Sequence, residues 1–100
     1  MSESAQSTLE KLHSETALIP WKDLQRFYAQ GNVLCISESL DLVQIAVWFA
    51  EDEVIKLASH IDSKAIAVPS NEQARSWYHH SIELWSVVVA PYVLVQLQTG

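Results

Sequence analysis

The sequence predicts an α+β domain on a mixed sheet of four to five strands: an N-terminal helical pair, a β-hairpin, then two strand-helix crossovers. Three observations carry that prediction. Apolar residues recur at helical intervals in four separate stretches, and short runs rich in β-branched residues lie between them. A hydrophobic share of 49% against 18% charged residues is the balance of a packed globule rather than of a disordered chain. A length of 100 residues suits one domain, placed at residues 7–98 behind a polar tail, residues 1–6, expected to be disordered.

Ser7-Thr8-Leu9-Glu10 has the spacing of a capping box, and Leu9, Leu12, Thr16 and Ile19 follow at roughly helical intervals. The first helix is therefore placed at about 8–17. Pro20 stands at or just before the first turn of a second helix, whose stripe is Trp21, Leu24, Phe27 and Tyr28. Gly31, the one glycine before the terminal Gly100, supplies the left-handed residue that closes it. Residues 32–37 read as a strand, 38–41 as a turn and 42–50 as a longer strand, together an antiparallel hairpin. Val43, Ile45, Val47 and Phe49 alternate with Leu42, Gln44, Ala46, Trp48 and Ala50, and the first set is the expected core face.

Glu51-Asp52-Glu53 opens a third helix, where carboxylates meet the positive end of the helix dipole, and Val54, Leu57, Ala58 and Ile61 form its expected buried stripe. Residues 64–69 are a short strand. Ser70 or Asn71 caps a fourth helix with Ala74, Trp77 and Tyr78 on one face, ending near His79-His80. The tail, 84–97, reads as one or two strands interrupted at Ala90-Pro91. A short helix from Ser81 to Val89 is the alternative, because periodicity does not separate the two. Ile45-Ala46-Val47 and Ile66-Ala67-Val68, each placed where a strand passes into a helix, suggest a repeated strand-helix unit long enough for parallel pairing.

Composition also narrows the chemistry. No run approaches the ~20 apolar residues of a membrane span, and the N-terminus lacks the pattern of a secretory signal, so a cytoplasmic location is expected. The single cysteine, Cys35, permits neither an intramolecular disulfide nor a cysteine metal cage, and it reads as a small apolar strand residue. Phosphate loops and the Gly-x-Ser-x-Gly elbow need glycines that the chain lacks. The formal net charge is -6, with Lys11, Lys22, Arg26, Lys56, Lys64 and Arg75 scattered singly, so nucleic acid and anionic membrane are poor partners. Neither a cofactor nor a metal is expected.

Three groups of residues remain as functional candidates. Glu10-x-x-His13 places a carboxylate and an imidazole on adjacent helical turns, half of a di-iron motif, but no second such pair exists, and the histidines read as surface groups. Asp41, Glu51 and Asp52 would rim an acidic crevice if the second and third strands were parallel, giving a small-molecule or metal-dependent activity with a histidine assisting. Trp48, Trp85 and Tyr92 suit the anchors of an interface. The leading expectation is a non-enzymatic interaction or regulatory module, a homo-oligomer or the binder of an unidentified protein partner, and the acidic crevice is the alternative.

Three segments, 14–24, 40–46 and 83–96, with Ile19-Pro20-Trp21, Leu40-Asp41-Leu42 and Val89-Ala90-Pro91-Tyr92 among their residues, resemble a family of small bacterial proteins described as a domain of unknown function. The resemblance covers nearly the whole chain, with Tyr92 where the family typically has Trp. It implies a bacterial, cytoplasmic, stand-alone protein and brings no catalytic residue, ligand or partner.

Overall fold

In the computed structural model, which describes residues 2–98 with side chains from Thr8 onward, the chain runs α1 (Ser2–Glu15), β1 (Ala17–Pro20), α2 (Trp21–Ala29), β2 (Val33–Ile36) and α3 (Leu42–Ala50). It continues through α4 (Val54–Asp62), β3 (Ile66–Ala67), α5 (Asn71–His79), β4 (Glu83–Val89) and β5 (Tyr92–Leu97). The strands form one five-stranded sheet in the order β1-β4-β5-β2-β3. β2 and β5 pair in parallel and the other neighbours pair antiparallel, so the domain is α+β with a mixed sheet.

Alternation along the strands divides the core in two. Ile36, Ile66, Val87 and Leu94 point to one face, where they pack with Leu12 of α1, Leu42, Ile45 and Ala46 of α3, and Leu57 of α4. Val33, Leu84, Val93 and Val95 point to the other, under Trp21 and Leu24 of α2 and Ala74 and Trp77 of α5. The sheet is thus a middle layer between helices. On the second face Trp21 meets Tyr28 and Trp77 edge-on, with ring centroids 5.4 and 5.0 Å apart.

Several elements follow the sequence reading. α5 is capped by Ser70, whose hydroxyl accepts from Gln73 N while the Gln73 side chain accepts from Ser70 N, a complete capping box. Gly31 has φ +77, and Gly31 N and Asn32 N close α2 onto the carbonyls of Tyr28 and Phe27. The tail is a β4–β5 hairpin turning at Ala90-Pro91, so 83–89 is strand and not helix.

The largest departure is residues 42–50, expected as a strand and found as the helix α3. Asp41 decides it locally: its Oδ1 accepts from Val43 N and Gln44 N, an N-cap that commits the chain to a helical turn. The run that follows is apolar almost throughout, so it satisfies period 2 and period 3.6 alike, and a helix apolar on nearly every side is a buried one. The expected 32–50 hairpin is therefore absent, and Ile45-Ala46-Val47 on α3 is no structural repeat of Ile66-Ala67-Val68 at β3. β1 was not expected. It pairs with β4 at the edge of the sheet. α1 begins at Ser2, within the segment expected as a disordered tail, and ends at Glu15. The expected burial of Val54 and Ile61 on α4 is also corrected, since both are exposed and Leu57 is that helix's buried residue.

Candidate functional site

The three aromatic candidates lie on the α1/α3/α4 side of the molecule, but they do not form one surface. Trp48, near the end of α3, is half-buried beneath α4: the His60 ring stacks on it at 6.0 Å and 14°, and Lys56 Nζ stands 5.8 Å from its centre. Tyr92, half-buried at the start of β5, packs against Phe49 of α3 at 5.8 Å. Trp85 is the most open of the three, 40% exposed on β4. It sits across from Leu18 and Gln96, and the Val87–Leu94 rung separates it from the Val89–Tyr92 rung.

The residues that sequence reasoning missed are on α4. Ile55 is 90% exposed, Val54 69% and Ile61 48%. At 3.6 residues per turn, Ile61, Val54, Ala58 and Ile55 fall in one sector of about a third of the helix circumference. Lys56, Ser59 and His60 lie outside it, while Asp62 falls within it, between Ala58 and Ile55. The hydrophobic period here is genuine, but it marks a face turned mostly to solvent. A period alone does not report which way a face points.

A cleft of about 980 Å³ opens between α1, the loop before α3 and the β4–β5 end of the sheet. Glu10 and His13, one helical turn apart on α1, form one wall. Leu40, Asp41 and Leu42 form another, and Trp85 and Gln96 contribute from the sheet. Gln96 fixes that second wall, since its Nε2 donates to the carbonyls of Ser37 at 2.9 Å and Leu40 at 2.7 Å. Leu9, Leu40, Leu42, Val43 and Trp85 supply an apolar lining, and the polar side chains of Glu10, His13, Thr16, Ser39, Asp41 and Gln96 converge on it, a mixture suited to a ligand site.

The acidic trio is divided by the same correction that turned residues 42–50 into a helix. Asp41 caps the start of α3 and faces the cleft, while Glu51 and Asp52 follow its last residue, about 15 Å or more further along at 1.5 Å per residue. The crevice between two parallel strands does not form, because one of those strands is α3. Among the described residues, no group of three His, Cys, Asp or Glu side chains could hold a metal ion. His80 lies apart from both the cleft and α4, its Nδ1 2.8 Å from the Ser76 carbonyl at the end of α5.

Cys35, half-buried on β2, has its thiol pushed up from the ordinary value by burial and, secondarily, by the Glu38 carboxylate. Such a group is not an activated nucleophile. No described helix is long and apolar enough to cross a membrane.

A search of curated proteins finds no match. Among solved structures, the NMR solution structure of PA1075 from Pseudomonas aeruginosa is similar at 34% identity and a TM-score of 0.81. The alignment covers 94% of this chain and 87% of that one. The model of the protein family of unknown function DUF2288 matches residues 7–97, so the outer pairing of β1, the cleft and the α4 face all lie within the matched segment, and the chain belongs to that family.

Proposed function

We propose that this domain is a non-enzymatic interaction module that self-associates as a homodimer through the outward face of α4. The observation that carries this reading is the row Val54, Ile55 and Ile61, three large aliphatic side chains left to solvent on one helix face. On a chain of formal net charge -6, this sector carries a single charged residue, Asp62 at its C-terminal end, and an antiparallel approach of two copies keeps the two Asp62 side chains at opposite ends of the contact. A two-fold axis across α4 runs the two helices antiparallel. Glu51, Asp52 and Glu53 of each copy then lie toward the Lys64 end of the other, whereas a parallel arrangement would oppose the two acidic ends.

A stable interface buries about 800 Å² per partner, more than one nine-residue helix face offers. Val68, exposed just after β3, the strand on which α4 packs, is a further apolar side chain available to widen the contact. Trp48 packs on the Lys56 and His60 side of α4 and so does not extend this face.

Multi-angle light scattering tests the proposal. The expected mass is twice that of the chain, falling to the monomer value in Ile55→Asp with the helical circular dichroism retained. A wild-type protein that scatters as a monomer at every concentration overturns it, and so does a dimer that persists in Ile55→Asp.

A further inference from the structure

We infer that the cleft between α1 and the start of α3 binds an organic cation with an apolar body, an amine or quaternary ammonium compound, held between the Trp85 ring and the carboxylates of Glu10 and Asp41. This is independent of self-association, because it uses a different set of residues.

Three features converge on that chemistry. The first is size and shape: a volume of about 980 Å³ lies at the upper end of the roughly 300–1,000 Å³ range of small-molecule sites. The second is Trp85. An indole 40% exposed in the lining of a concavity, on the sheet face where Val87 and Leu94 are fully covered, leaves part of its ring open to a ligand. Of the aromatic rings, indole attracts a cation most strongly.

The third feature is charge. Among the described residues, the ionisable groups lining the cleft are Glu10, His13 and Asp41, with no lysine or arginine. Anions would meet two carboxylates, against only the partial positive charge of the α3 N-terminus, which Asp41 already caps. Asp41 uses Oδ1 for both capping bonds, and its Oδ2 carries no hydrogen bond among the described residues. The capping role therefore leaves one carboxylate oxygen to face a cation. Leu9, Leu40 and Val43 supply the aliphatic lining that an apolar body requires.

The site is also built rather than incidental. Gln96 ties the 37–40 loop to β5 through two short bonds, which holds Leu40 and Asp41 at a set distance from Trp85, its cross-strand neighbour.

Titration with benzyltrimethylammonium chloride, followed by two-dimensional NMR, tests the inference on the full chain. The indole N–H signal of Trp85, identified by its disappearance in Trp85→Phe, and the Gln96 side-chain amide signals should shift saturably. Those of Trp21 and Trp77, buried on the opposite face, should stay put. Phenylacetate and benzyl alcohol, an anion and a neutral compound of similar size, should bind at least tenfold more weakly. The double variant Glu10→Gln/Asp41→Asn, which keeps side-chain shape and a capping oxygen, should also lose tenfold or more. The absence of saturable shifts, shifts centred outside the cleft, equal binding of phenylacetate, or undiminished binding by the double variant would each overturn it. Light scattering on the same samples reads self-association separately.

Discussion

Gln96 on β5 and Leu40, two residues before α3, are joined by a 2.7 Å hydrogen bond from the side-chain amide to the backbone carbonyl, and the same nitrogen donates to Ser37. One side chain thus satisfies two loop carbonyls across more than half the length of the sequence. Gln96→Met, which keeps the volume and removes the donor, should cost about 2 kcal/mol in urea unfolding, the scale of leaving partly buried carbonyls unpaired. Gln96→Glu should cost more at neutral pH, because a carboxylate oxygen then faces two carbonyl oxygens. That excess should shrink as the pH falls and the carboxyl protonates, since its O–H donates again. Equal stability of Gln96→Glu and wild type at pH 7 would show that the loop is held by something else.

Four helices end in a left-handed residue: Gly31 after α2, Asp52 after α3, Lys64 after α4 and Ser81 after α5, with φ of 77, 54, 65 and 50. Only the first is a glycine. The cost of a Cβ in this conformation is about 1–2 kcal/mol, and less for Asp than for Lys. A Cβ built on Gly31 meets nothing within 4 Å, so Gly31→Ala measures that cost without a clash. It should destabilise the domain by about 1 kcal/mol in thermal unfolding, and Lys64→Gly should stabilise it by a similar amount. A neutral outcome for both would mean that these turns relax out of the left-handed region.

Asp41 has two duties that substitution can separate. Asp41→Ala removes the acceptor for Val43 N and Gln44 N and should lower stability by about 1 kcal/mol, whereas Asp41→Asn keeps an oxygen there and should lose a few tenths. Asp52, at the other end of α3, closes the helix only through its backbone, its N–H donating to the Phe49 carbonyl, so Asp52→Gly keeps that bond and should stabilise the domain through its left-handed φ. Chemical denaturation of the three variants checks the ranking. Asp41→Ala matching wild type would mean that the cap does not hold α3.

How far the sequence could be read follows from where its signals were unambiguous. Ser70, one of the two expected caps of α5, and Gly31 after the Trp21–Tyr28 stripe are local devices that stand as expected, with Gln73 completing the cap as a box. Residues 42–50 failed because an apolar run without contrast has no period to read, and the deciding bond came from Asp41, taken for a turn residue. On α4 Leu57 is buried as expected while its stripe companions Val54, Ala58 and Ile61 are exposed, since periodicity locates an apolar face but not what covers it. The cleft left one trace. In Tyr92, Leu94 and Gln96, alternate residues of β5, a glutamine occupies a position of core-facing parity, where a polar group needs partners from elsewhere in the chain. Those partners lie 56 and 59 residues away, beyond the reach of any local pattern.

Cys35 gives a prediction in pH. Its thiol is raised from an ordinary value of 9.0 by burial, with the Glu38 carboxylate adding to it, so the folded chain keeps this proton at pH values where the unfolded chain has released it. Below pH 9 both states are protonated and the cysteine contributes no slope. As the pH rises through 9 and on toward the folded value, the unfolded state binds fewer protons than the native one, and stability falls. Stability measured by urea unfolding should therefore decline faster above pH 9 in wild type than in Cys35→Ala, with the difference between the two constant below it. Parallel curves across that range would show that the thiol ionises as freely folded as unfolded. The same shielding should slow alkylation: iodoacetamide at pH 8 should modify the native protein several-fold more slowly than the urea-unfolded chain. Equal rates would place the sulfur in open solvent, against its half-buried position on β2 beside Val95 and Ala67.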